Sequence, residues 1–195
     1  MFRFIINLWL TVWLSFLTAV VVQSQRRADI WKLQGVDTEP GKTAPPDLQD
    51  RMEQAVWHRA EPLVISEADA NHYLASVIQG RLIGATHFMA SFKRVAVQFE
   101  PGLCRVWFEW GVGGHRNTAS LDVTIKRVGP NFITEVVGGS YGRLPVRRGA
   151  LAALVPGCRT LCEALEDEIH GIYQMNQIRF EKNKMVLDPR FETKS

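Results

Sequence analysis

The sequence predicts an α+β protein. It reads as an N-terminal transmembrane helix, then an antiparallel β-meander of about four strands covered on one face by two or three helices, and last a short C-terminal hairpin. Three observations predict this. Phe4–Val22 is a run of 19 residues without a charge. Between residues 95 and 137 apolar and polar side chains alternate with period 2, broken by Gly, Pro and Asn. On both sides of that stretch apolar residues recur at helical spacing. The length of 195 residues suits one domain plus an appendage. A composition of 46% hydrophobic and 22% charged residues excludes a disordered chain, a collagen, a disulfide-dense toxin and a polytopic transporter.

The uncharged run comes first. A helix of this length covers about 28 Å, close to the ~30 Å hydrocarbon core of a bilayer. A cleaved signal peptide is the competing reading. Against it, Val22-Gln23-Ser24 departs from Ala-x-Ala, and the run is long for a signal and holds Trp9 and Trp13. The expectation is a retained single-pass anchor over residues 1–25. Arg26, Arg27 and Lys32 follow the span, which by the positive-inside rule favours a cytoplasmic domain. A short N-terminal tail and the ready translocation of long domains favour the opposite. The expectation is a membrane location with the C-terminal domain extracytoplasmic. Asn7, Thr11, Ser15 and Thr18, spaced 4, 4 and 3 apart, share one face. They predict helix–helix contact in the membrane, with a second copy or a membrane-protein partner. The competing reading is that the hydroxyls bond back to their own helix.

Residues 26–61 read as a linker, with Gly35, Pro40, Gly41, Pro45 and Pro46 early on and a short helix over Asp47–Arg59. Residues 62–189 form the domain and 190–195 a polar tail. Ser66-Glu67-Ala68-Asp69 has the pattern of an N-terminal capping box. The stripe Ala70, Tyr73, Leu74, Val77 and Ile78 behind it predicts a helix. Four strands follow, around Val95–Phe99, Cys104–Trp110, Ala119–Ile125 and Phe132–Val137, giving a sheet with one apolar and one polar face. A short helical piece ends at Pro156-Gly157. One helix then carries Cys158, Leu161, Cys162, Leu165, Ile169 and Ile172 on its core face. The hairpin turns at Lys182-Asn183.

Chemistry-bearing constellations are sparse. Cys104, Cys158 and Cys162 read as buried free thiols, with a Cys104 disulfide to either partner as the alternative. Even with His170 they supply three metal ligands, where a closed zinc site needs four. The other histidines, His58, His72, His87 and His115, form no ligand motif, and no nucleophile elbow occurs. The expectation is a protein without catalytic residues, metal or cofactor. Gly138–Arg143 reads as a glycine-rich loop between a strand and a helical region. With Gly139, Ser140, Arg143, Arg147 and Arg148 it is the candidate site for an anion or lipid headgroup. Residues 111–160 hold seven Arg or Lys against Asp122 and Glu135, a basic middle suited to a lipid surface. A net charge of +3 without a binding motif argues against nucleic acid. Leu103 and Trp107, on the polar sheet face, are the candidate surface contact, unless the 26–60 segment covers Trp107.

The order of span, linker, "PLVISEADANHYLAS", a meander opening "VAVQFEPG", a "GRLPV" crossing, a helix and "IRFEKNKMVLDP" resembles small membrane-anchored bacterial proteins of unknown function. The resemblance covers most of residues 62–189 and is one of layout, so it carries over no functional residue. It implies an envelope α+β domain. The functional expectation is a membrane-anchored, non-enzymatic binding or scaffolding module that contacts a membrane-complex partner. The alternative is a lipid or hydrophobic-ligand binding protein of the envelope.

Overall fold

The computed structural model describes residues 2–26, 28–36, 47–81, 92–112, 115–129, 131–149, 151 and 155–190, with side chains outside 2–8, 78–81, 92, 112, 155–158 and 160. Helix α1 (Phe2–Gln25) is followed by a 3-10 turn (Ile30–Lys32), α2 (Leu48–His58), β1 (Leu63–Ser66) and α3 (Glu67–Arg81). The meander comprises β2 (Phe92–Glu100), β3 (Leu103–Val112), β4 (His115–Val128), β5 (Asn131–Tyr141) and β6 (Leu144–Val146). Helices α4 (Val155–Ala164) and α5 (Glu166–Tyr173) and strands β7 (Gln177–Glu181) and β8 (Lys184–Asp188) complete the chain.

The fold is α+β, with eight described strands in two antiparallel sheets. The meander runs β2-β3-β4-β5-β6, one strand longer than the period-2 pattern predicts. The extra strand, β6, spans Leu144–Val146 alone, too short to show alternation. The C-terminal hairpin is present as predicted, turning at Asn183 with φ 62°. It is not isolated: β1 pairs along β8, Leu63 opposite Leu187 and Ile65 opposite Met185, making a second sheet of order β1-β8-β7. A lone two-stranded hairpin is marginal in water, so a third strand stabilises it. Helix α1 covers the predicted span. Its described side chains begin at Trp9, and among the described residues no helix is long and apolar enough to cross a membrane.

Two apolar clusters fill the inner side of the meander. One joins the sheets through Ile65, Phe99, Cys104, Met185 and Leu187, with Leu48 and Met52 of α2 and Tyr73 of α3. The other packs Leu151 and Leu161 on Val95, Phe108, Ala119 and Leu121. The outer face is not polar throughout. Ala28, Ile30, Leu33 and Val36 lie over Ala96 and Trp107, a third apolar cluster. The start of the expected linker is therefore a strap against the sheet. Residues 37–46 of that linker lie outside the described residues. The helix predicted from Cys158 to Ile172 is broken at Leu165 (φ -115°, ψ 27°). Leu161 is buried on α4 and Cys162, one residue further round, is exposed, so the Cys162 side chain leaves the predicted core face.

Strand β2 is the edge of the meander, and an edge strand presents free backbone N–H and C=O groups. Here α3 supplies their partners. The Ser66 half of the predicted capping box is formed, the Asp69 N–H donating to Ser66 Oγ at 3.1 Å, and Glu67 and Asn71 of this helix start are buried. Asn71 Oδ1 accepts the Val97 N–H at 2.7 Å, and Asn71 Nδ2 donates to the Val97 carbonyl at 3.0 Å. Glu67 Oε2 accepts the Phe99 N–H at 2.9 Å. The Phe99 carbonyl accepts the Asn183 N–H at 3.0 Å, and the Asn183 carbonyl accepts the Glu67 N–H at 2.9 Å. Both side chains also hold the strap, since Asn71 Nδ2 donates to the Gln34 carbonyl at 2.7 Å and Glu67 Oε1 accepts the Gln34 N–H at 3.4 Å. Asn71→Ala removes three such bonds at a buried site, and each stranded buried group costs about 1–3 kcal/mol. Chemical denaturation of the full chain in detergent is expected to show a loss of roughly 2–4 kcal/mol for this variant.

Candidate functional site

Of the sequence-predicted anion-site residues, Arg143 lies where α1 meets the meander, Gly139 and Ser140 lie in β5, and Arg147 and Arg148 follow β6. The glycine-rich segment is not a loop: Gly138–Tyr141 belong to β5, and only Gly142-Arg143 turn into β6. A side chain at Gly139 would run into the Ser120 carbonyl and Leu151, so the close approach of β4 and of Leu151, ahead of α4, explains this glycine. Ser140 Oγ lies 2.9 Å from Ser120 Oγ across the strands. The first reason for Gly139 is therefore the packing of the sheet.

The turn also grips the end of α1. The Arg143 N–H donates to the Gln23 carbonyl at 3.1 Å, the Gly142 N–H to the Thr118 carbonyl at 2.7 Å, and the Ala28 N–H to Thr118 Oγ1 at 3.1 Å. Helix ends leave their last carbonyls without intrahelical partners, and Arg143 satisfies one of them. Gly142 sits at φ +56°, and a Cβ there would strike the Ser24 and Arg26 carbonyls. Only glycine combines that backbone angle with so close an approach.

Charge is arranged around the same point. Asp29 accepts from Lys32 Nζ at 2.9 Å and from the Arg143 guanidinium at 3.1 Å. The Lys32 hydrogen bond, followed by the charges of Lys32 and Arg143, holds the Asp29 carboxyl below its ordinary value. Arg148 pairs with Glu135 at 3.2 Å, Lys126 approaches the same carboxylate at 3.7 Å, and Arg147 is exposed beside Arg148. Arg143, Arg147 and Arg148 thus flank β6, while Gly139 and Ser140 lie within the sheet.

Trp107 is half-buried under the strap, its indole N–H 3.4 Å from Gln98 Oε1, and Leu103 is half-buried at the start of β3. On α1, Thr11, Ser15 and Thr18 are exposed, and Thr18 Oγ1 donates back to the Leu14 carbonyl at 2.8 Å. The Asn7 side chain lies outside the described residues. Sequence reasoning missed the buried Glu67 and Asn71, Thr118 and the role of Gly142. The capping pattern placed Glu67 at the helix start without showing which way it faces.

A groove of about 220 Å³ runs between α2 and α5, lined by Met52, Val56, Trp57, Asp167, His170 and Gly171 among others. Trp57 on its rim is 85% exposed. Among the described residues no three His, Cys, Asp or Glu side chains converge as metal ligands. Cys104 and Cys162 are both free thiols, so they do not form the alternative disulfide, and the Cys158 side chain lies outside the described residues. No protein-family model matches this sequence, and comparison with curated proteins and with solved structures returns no match. The layout resemblance therefore contributes no residue to the site.

Two predictions follow from this geometry. Burial, reinforced by the Glu67 and Asp122 charges, pushes the Cys104 thiol up to about 12. At pH 8 its reactive thiolate is then only about one part in ten thousand. Peptide mass spectrometry after maleimide treatment of the folded chain is expected to find Cys162 modified and Cys104 intact until denaturant is added. Gly142→Ala places a Cβ in a left-handed backbone against two carbonyls, a strain of about 1–3 kcal/mol. Limited proteolysis is expected to cut between Gln23 and Ala28 faster in that variant.

Proposed function

We propose that the chain is a single-pass, membrane-anchored, non-enzymatic binding or scaffolding module, with its C-terminal domain extracytoplasmic. The observation that carries this reading is the exposure of α1. From Trp9 to Ala19 every residue of this helix is exposed, including Trp9, Leu10, Val12, Trp13, Leu14, Phe16 and Leu17. A helix that is apolar all round belongs in a core or in a bilayer, and the domain does not cover this one. The uncharged run continues back to Phe4, which supplies the ~19–20 residues that a span needs. In this reading Asn7, Thr11, Ser15 and Thr18 face a second copy or a membrane-protein partner.

Strand β5 supports the scaffolding half. It pairs with β6 only over Gly139–Tyr141, so along Asn131–Gly138 its one paired neighbour among the described residues is β4. Phe132 stacks on Tyr173 of α5 and Thr134 Oγ1 lies 2.6 Å from its hydroxyl; a strand with one paired neighbour can take another chain along its second side. The competing ligand-binding reading needs room between the meander and its helices. The described residues there form contiguous buried apolar clusters, and the groove between α2 and α5, about 220 Å³, is small for a lipid.

Alkaline carbonate extraction tests the anchor: the chain is expected to stay with the membrane pellet at full length, and release or N-terminal cleavage counts against it. A reporter fused after Ser195 is expected to be active on the extracytoplasmic side. Asn7→Leu is expected to lower the crosslinked yield of dimer or partner at least severalfold; an unchanged yield rejects the helix-contact residues. Mass spectrometry is expected to find no stoichiometric lipid retained in the domain.

A further inference from the structure

We infer that the β5–β6 end of the meander, with the segment leaving α1, forms a basic collar that lies on the bilayer surface and binds anionic phospholipid headgroups. This rests on the proposed anchor and adds where the domain sits against the membrane and which lipids it selects. The argument begins with position. Gln23 immediately follows the apolar run, and its carbonyl accepts the Arg143 N–H at 3.1 Å. Gly142 packs directly on the Ser24 and Arg26 carbonyls. The domain therefore does not hang on a slack tether. Its β5–β6 turn is held within one helical turn of the point where the apolar run ends, the depth at which headgroups lie.

The charge running from Lys32 and Arg143 at the turn to Arg147 and Arg148 beyond β6 is suited to such a surface. Arg26, Lys32, Arg143, Arg147 and Arg148 are exposed; Asp29 pairs with Lys32 and Arg143, Glu135 pairs with Arg148, and the Asp122 carboxylate, held by Arg105, lies beside Gly138 and Val146. Residues 111–160 carry seven basic against two acidic side chains, and the ion pairs here are solvent-exposed, with Arg148 67% and Lys32 80% open. Exposed ion pairs of this kind are weak, so their cations remain able to meet a phosphate. Basic residues near an anionic leaflet contribute about 1 kcal/mol each, within a Debye length. Arginine adds a fork that can bind a phosphate through two parallel bonds.

The test uses the full chain reconstituted in phosphatidylcholine vesicles, with and without 30% phosphatidylglycerol. Amide hydrogen exchange over Arg143–Gly149 is followed in both. Exchange at least threefold slower in the anionic vesicles is expected, and 0.5 M salt should abolish the difference. Arg147→Glu combined with Arg148→Glu should remove it too, whereas Lys182→Glu with Lys184→Glu, on the β7–β8 hairpin, should leave it intact. Equal exchange in the two vesicles overturns the collar. So does equal slowing by 10 mM inorganic phosphate in phosphatidylcholine alone, which would mark a free-anion site. Carbonate extraction of the same samples reports on the anchor separately. A chain that resists extraction but shows no lipid dependence keeps the anchor and loses the collar. A chain that is extracted yet shows the dependence loses the anchor and keeps a basic lipid-binding face.

Discussion

The unsatisfied edge of the meander is the constraint on which the rest of the structure depends. A twisted five-stranded sheet has to end somewhere, and at β2 it would end in a row of open backbone groups under an apolar core. Glu67 and Asn71, one turn apart on α3, close that row at Val97 and Phe99. Because β1 leads directly into α3, the same helix start ties the second sheet to the first. The Glu67 N–H meets the β7–β8 turn at Asn183, and Asn183 in turn meets Phe99. Helix, edge strand, hairpin and strap thus converge on two buried polar side chains. Polar groups at such a site are stabilising only while all of them are paired, so the position of each element constrains the others.

A second junction, at the opposite edge, links the domain to α1. Thr118, Gly142 and Arg143 take up the backbone where the helix ends, and the strap beyond it runs back over Ala96 and Trp107 to reach Glu67 and Asn71. The two junctions are therefore joined by one short, packed segment. A helix attached in this way carries its orientation into the domain. Arg143 lies at this junction, and Arg147 and Arg148 follow β6 next to it.

Elements with a strong local signal were legible in the sequence. The Ser66 half of the capping box, the helical stripe after it, the alternation of β2–β5 and the Lys182-Asn183 turn all appear where their spacing predicts. Short or locally ambiguous pieces were not. Strands β1 and β6 have four and three residues, fewer than a period needs to declare itself. Leu165 offers no breaker to announce the division between α4 and α5. The Gly138–Tyr141 segment has the composition of a loop, yet it is strand, and Gly139 answers to the approach of Ser120 and Leu151. At the candidate site the arginines were visible as a charge cluster, while the grip on α1 was not.

The sequence by itself determined the class of fold, the order of its main elements and the 19-residue uncharged run, because periodicity, capping and hydropathy act between residues a few positions apart. The tertiary structure alone decided which buried polar groups close the edge, why Gly142 must be glycine, and that the strap covers Ala96 and Trp107 on the outer face of the sheet. Those outcomes join Gln34, Glu67 and Phe99, or Gln23, Thr118 and Arg143. Such contacts hold only once distant segments have been brought together, and no local pattern records a partner so far along the chain.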